Sequence, residues 1–208
     1  MFFRTLPAPA RRIFTRLGRE AFMRVFYLAG GSAAALRLGH RVSMDLDFFT
    51  QQPWVPGVLT PGLQAIGSLT IQQQKADTLI ALLGGTQISF FQYPYALLEP
   101  AAVYRGARIA SLLDIALMKI IAISQRGRRR DFVDLYAICQ AHYPLQDILR
   151  RLPVKYPSLS YPSYHLLRAL AYFEDAEKDP PLQSLADYTW REVKSFFTKQ
   201  ANDLAKQI

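Results

Sequence analysis

The chain has 208 residues, with 25 Lys and Arg against 16 Asp and Glu, a formal net charge of +9 and one cysteine, Cys139. A single thiol can build neither a disulfide framework nor a cysteine-based zinc site, and no apolar run reaches the roughly 18 residues of a membrane span. The charge is uneven: residues 1–41 hold eight Arg and one Glu, residues 42–104 one basic and four acidic residues, and residues 105–130 seven basic residues and one acid.

In chain order, residues 8–25 read as a basic amphipathic helix with Phe14, Leu17, Phe22 and Val25 on its apolar side. Its arginines mimic an organelle presequence, but it lacks the uninterrupted apolar stretch of a secretory signal. The expectation is a helix packed on the domain and a cytoplasmic protein. Tyr27, Leu28 and Ala29 end a short buried strand. Gly30 and Gly31 permit a tight turn and close backbone approach. Ser32 is placed to N-cap a helix over residues 33–38, which Gly39 ends. Residues 44–49 then alternate as a strand, with Met44, Leu46 and Phe48 inward and Asp45 and Asp47 on the other face.

Residues 51–62 carry Pro53, Pro56, Gly57, Pro61 and Gly62, which predicts irregular chain with a short helix before Gly67. Strands are expected over 69–74, 78–83 and 87–93, with a hairpin turn at Gly84-Gly85. Helices are expected over 111–125, with Ser111 and Asp114 in capping positions, and over 131–142, 146–152, 163–175 and 184–208. The fold class is α/β (α+β), a short mixed sheet flanked by helices with a C-terminal helical part. The implied domains are residues 1–152 and a helical extension over 153–208.

The chemistry-bearing residues concentrate between Leu28 and Thr50. Asp45 and Asp47 share a strand face, and two carboxylates held that close repel unless a cation lies between them. Mg2+ or Mn2+ with phosphate oxygens would satisfy both; the bland alternative is a polar strand edge. The helix start at Gly30, Gly31 and Ser32 offers N–H groups to phosphate. The order is not a Walker loop or a dinucleotide fingerprint, since neither pattern of glycines is present. Arg41 and Ser43 precede the carboxylates; Arg41 is placed to pair with an acid or reach a nucleotide, and His40 reads as structural. Lys119 stands in an otherwise apolar helix, where it must snorkel to water or face an anion. Arg126, Arg128, Arg129 and Arg130 form a basic turn, and Asp131 and Asp134 share the face of the next helix, where acids in a first turn could simply cap it. Phe90, Phe91, Tyr93 and Tyr95 could stack a base, though their alternation suits core packing.

Four pieces occur in order: Gly-Gly-Ser, then Gly39-His40-Arg41 with Ser43 and Asp45-Leu46-Asp47, then Lys119, then Arg126 to Asp134. Together they resemble the nucleotidyltransferase fold shared with DNA polymerase β, and more closely the AbiEii/AbiGii family of toxin nucleotidyltransferases. The likeness covers residues 29 to about 136. It implies a metal-dependent transferase that moves a nucleoside monophosphate from an NTP to a hydroxyl, with a tRNA-like RNA as acceptor. A cognate antitoxin would be its partner, with no membrane involved. Asp45 and Asp47 would hold the metal. Gly30, Gly31, Ser32, Arg41, Ser43, Lys119 and Arg130 would bind the nucleotide, with Lys119 on the triphosphate. Polymerase-type transferases place a third carboxylate on a later strand, yet residues 87–92 contain no Asp or Glu. Asp131, ahead of Asp134, is the candidate replacement base. The same gap leaves open a catalytically degenerate nucleotide- or nucleic-acid-binding module.

Overall fold

The computed structural model describes residues 1–159 and 162–206. The chain divides into two compact units, Met1–Ser111 and Leu112–Ile208. No helix among the described residues is long and apolar enough to cross a membrane.

The strands of the first unit are β1 (Tyr27–Ala29), β2 (Leu46–Thr50), β3 (Leu69–Lys75), β4 (Thr78–Leu83), β5 (Thr86–Gln92), β6 (Ala102–Tyr104) and β7 (Ala107–Ile109). They form one mixed sheet in the order β3-β4-β5-β2-β1-β7-β6. β2 runs parallel to β5 and β1 parallel to β7; the other neighbours are antiparallel. Burial alternates along β2: Leu46, Phe48 and Thr50 are buried, and Asp47 and Phe49 are half-exposed. β4 repeats the pattern with Leu79, Ala81 and Leu83 inward. The sheet packs with α1 (Ala8–Leu17), α2 (Gly30–Leu38) and α3 (Pro56–Ile66). Phe48 and Phe90 stack at 5.4 Å, and Phe26 meets Phe90 edge-on at 5.1 Å. Full burial of such a side chain is worth about 1.5–3 kcal/mol. A one-residue slip would turn this whole set outward, so the apolar face sets the register.

Several expectations change. Met44, predicted to face the core, is 62% exposed because the strand begins only at Leu46. The predicted helix over 8–25 stops at Leu17 and resumes as a 3-10 turn over Ala21–Val25. The break falls at Gly18, whose backbone lies against those of Arg105 and Gly106; a side chain there would collide with the Arg105 carbonyl. Residues 56–66, expected to be largely irregular, are helical from Pro56, a residue suited to the first helical position. The β6–β7 hairpin is unforeseen, because three residues per strand are too few to show a period.

The second unit is helical: α4 (Leu112–Arg126), α5 (Arg129–Ala141), α6 (Leu145–Lys155), α7 (Ser163–Leu170), α8 (Glu174–Glu177) and α9 (Trp190–Ala205). α4 packs with α5, α6 and α7, and α9 with α5 and α7. The start of α9 is fixed by a capping box between Thr189 and Glu192; the last two residues of the expected 184–208 helix lie outside the described residues. Asp114, expected as a cap, is fully buried and paired with the equally buried Lys155 at 2.7 Å. Neither group could stay charged there without the other.

Candidate functional site

α2 follows β1 directly, and Gly30 takes φ +65° at the junction. Ser32, expected as the N-cap, lies instead within the first turn, and Ala29 holds the capping position. The glycines themselves make the helix start, and the Ser32 hydroxyl is used elsewhere. It donates to the Asp45 carbonyl and lies 3.0 Å from the Ser43 hydroxyl. That pair ties the start of α2 to the chain entering β2. A side chain on Gly31 would run into the Arg41 guanidinium and sit 3.2 Å from Ser43 Oγ. One on Gly30 would sit 3.2 Å from Asp47 Oδ2. The glycines are thus what lets the helix start approach Arg41, Ser43 and Asp47.

Gly30, Gly31, Ser32, Arg41, Ser43, Asp45 and Asp47 therefore gather around one helix end. Ser32, His40, Arg41 and Ser43 are buried. Arg41 Nη1 donates to the Val42 carbonyl at 2.9 Å, and the Ser43 N–H donates to the Thr5 carbonyl at 2.9 Å. Asp45 and Asp47 remain half-exposed. The first N–H groups of a helix lack intrahelical acceptors, and its positive end attracts phosphate. The carboxylates supply hard oxygen donors. Among the described residues no group of three or more His, Cys, Asp or Glu forms a metal cage. Two carboxylates suffice for Mg2+, which characteristically takes one or two of them and fills its other positions with substrate phosphates and water.

The parallel β2–β5 pairing sets Ser89 opposite Asp47. Ser89 is buried, so a hydroxyl stands in the strand where a third carboxylate was sought. Phe90 enters the core as its alternation predicts, but Phe91 faces the other way. It contacts Phe49 at 5.3 Å, and Phe49 in turn contacts Tyr27, Tyr93 and, through Tyr93, Tyr95. These rings occupy the Asp47 face of the sheet, because residues two apart in a strand share a side.

In the second unit, α4 and α5 bring Lys119 between two carboxylates. Its Nζ lies 2.7 Å from Asp131 Oδ1 and 2.6 Å from Asp134 Oδ2. All three side chains are buried. Lys119 therefore faces anions rather than snorkelling to water. Arg126 Nε donates to Asp131 Oδ2 at 3.0 Å. Burial pushes the Asp131 carboxyl up, but the charges of Lys119 and Arg126, with their hydrogen bonds, outweigh it and hold the group below its ordinary range. The basic turn is largely ion-paired. Arg128 contacts Asp179 at 2.7 Å, Arg129 reaches Glu177 at 3.5 Å, and Arg130 is exposed. Nothing in the spacing of the sequence announces the Asp179 contact, since 51 positions separate Arg128 from Asp179.

The family model described as nucleotidyl transferase AbiEii toxin, type IV TA system, matches residues 86–186. That span takes in Lys119, Asp131 and Asp134 and stops short of Asp45 and Asp47. An uncharacterized protein of Aquifex aeolicus (strain VF5) is 37% identical over 183 residues, covering 86% of this chain and 87% of that protein. Among solved structures, MenT4, a nucleotidyltransferase toxin of Mycobacterium tuberculosis H37Rv, superimposes with TM-score 0.62 at 15% identity, over 95% of this chain and 86% of that one. A candidate nucleotidyltransferase from H. pylori gives TM-score 0.57 at 17% identity, over 95% and 92% of the two chains. At these identities the structures establish a shared nucleotidyltransferase fold.

Proposed function

Since the chain belongs to the AbiEii family of nucleotidyl transferase toxins, we propose that it transfers a nucleoside monophosphate from an NTP to a hydroxyl of RNA, releasing pyrophosphate. The observation that carries this reading is the clustering of Gly30, Gly31, Ser32, Arg41, Ser43 and Asp47 at the start of α2. It combines a phosphate-attracting helix end with carboxylates fit for Mg2+ or Mn2+.

In this reading the backbone at Gly30 and Gly31 receives phosphate oxygens, and Arg41 and Ser43 fix the shape of that cradle. Asp45 and Asp47 hold the divalent ion, which when bound lowers the charge barrier to phosphoryl attack. Lys119 neutralises triphosphate charge, and Asp131 and Asp134 hold its ammonium in place. Asp131, ionised beside Lys119 and Arg126, is the candidate acceptor for the proton of an attacking hydroxyl, a role that requires it to be released from those partners. Arg130 adds positive charge from the surface. The basic segments favour a polyanionic acceptor, and the family description supports an antitoxin as the regulatory partner.

The test is incubation of the full chain with Mg2+, each labelled NTP in turn and total bacterial RNA. An RNA band labelled by the wild type, and labelled at least about 100-fold more slowly by a folded Asp45→Asn variant, supports the site. Equal labelling by both proteins refutes it. Ser89 beside Asp47 favours one second reading, a nucleotide-binding module. Metal-dependent NTP binding with no label in any acceptor would select it.

A further inference from the structure

Far along the chain from the carboxylates, the first unit gathers like charges on its surface. α1 exposes Arg12 and Arg16 one turn apart. The guanidiniums of Arg11 and Arg105 both lie over the ring of Phe3, at 6.0 and 4.2 Å from its centroid. Arg105 comes from the β6–β7 turn and takes φ +51°, a conformation that costs a non-glycine residue free energy. The close backbone approach at Gly18 holds that turn against the end of α1. Phe3, Arg11, Arg12 and Arg16 also line a shallow depression of about 480 Å³. Among the described residues no carboxylate pairs with Arg11, Arg12, Arg16 or Arg105.

Cations brought together without counterions repel, and the arrangement lasts only if its cost is offset. Stacking on Phe3 offsets part of it, and a bound polyanion would offset the rest. The chemistry of the donors selects the polyanion. Residues 1–41 contain eight Arg and no Lys, and the guanidinium fork matches phosphate oxygens bidentately where an ammonium cannot. A one-turn step along α1 is about 6 Å, on the scale that separates neighbouring phosphates of one strand.

We propose that Arg11, Arg12, Arg16 and Arg105, floored by Phe3, dock the phosphodiester backbone of the acceptor RNA. This rests on RNA being the acceptor. The surface carries affinity without reading bases, because phosphate contacts position a nucleic acid and do not specify its sequence.

The experiment compares the full-length wild type with an Arg12→Gln/Arg16→Gln/Arg105→Gln variant and with the matching triple Lys variant. Binding of total tRNA is measured over a range of salt concentrations. The Gln variant should bind about tenfold or more weakly near 0.1 M salt, and its plot of log affinity against log salt should lose about 3 from its slope. The Lys variant should keep most of the slope. KM for RNA should rise with kcat unchanged, a split that misfolding would not produce. Wild-type and Gln-variant proteins binding tRNA equally, with equal slopes, overturns the docking surface while leaving the acceptor reading intact. A wild type that turns over NTP but binds no RNA overturns both. Loss of poly-L-glutamate binding with tRNA binding unaltered shows a face for an acidic protein and also overturns the proposal.

Discussion

Replacing Lys119 by Met removes the cation that stands between two fully buried carboxylates. The ammonium lies 2.7 Å from Asp131 and 2.6 Å from Asp134, and the Lys119 side chain is itself 5% exposed. Arg126 still contacts Asp131 at 3.0 Å, but its own side chain is 51% exposed and therefore water-screened. Removing one partner of a buried ion pair costs about 3–5 kcal/mol, since the other charge stays desolvated. At this chain length each kcal/mol moves Tm by about 2–4 °C, so the Lys119→Met transition should fall by about 6–20 °C. Adding Asp134→Leu should recover much of the loss, because an apolar replacement of both partners is often neutral. The pH dependence has a definite sign. Asp131 titrates below its ordinary value of 3.8 in the folded protein, so its support is complete above that value and is lost as pH falls through the lower folded value. The gap between wild type and Lys119→Met is thus full at neutral pH and narrows in acid. Thermal unfolding followed by circular dichroism from pH 3 to 7 reads both effects. A Lys119→Met protein within about 1 kcal/mol of wild type at pH 7 would refute the ion-pair argument.

Gly31→Ala should leave the protein folded at a cost of about 1–3 kcal/mol, since its Cβ meets the movable Arg41 guanidinium. NTP affinity should fall with it; calorimetric titration showing wild-type affinity would separate Arg41 placement from nucleotide binding. Asp114→Ala should cost about 3–5 kcal/mol by stranding Lys155, whereas Asp114→Leu with Lys155→Met should lie near wild type; chemical denaturation of the two variants checks this. Desolvation pushes the half-buried Cys139 thiol up to about 12, so the thiolate is a minor species at pH 8. A thiol reagent should label the native chain far more slowly than the unfolded one, and equal rates would contradict that burial.

The two compact units differ in how their polar groups are held. At α2 the polar residues satisfy one another through local bonds, Ser32 to Ser43 and Arg41 to Val42, and leave the Asp45 and Asp47 carboxylates half-exposed. In the helical unit Lys119, Asp131 and Asp134 are closed off from water. A buried network holds its geometry firmly but penalises any unpaired member. Substitutions in the helical unit should therefore register first as lost stability, and those at the carboxylates as lost activity.

Local order was legible because it rests on local rules. The alternation in residues 46–50, the Gly84-Gly85 hairpin and the glycine-rich helix start follow from the pleat of a strand and from glycine's conformational freedom, and the amino-acid sequence alone determines them, whereas Asp45, expected on the same strand face as Asp47, lies just before the strand. So does the unequal charge that leaves arginines crowded near the N-terminus. Tertiary structure decided what those elements meet. The parallel pairing that sets Ser89 beside Asp47, the turn of Ser32 away from capping, the break of α1 at Gly18 against the β6–β7 turn, and the two partners of Lys119 all join residues distant in sequence. No periodicity encodes such meetings. They are fixed when burial of one sheet face and of the helix seams selects a single register, and each polar group carried inward takes the partner that register provides.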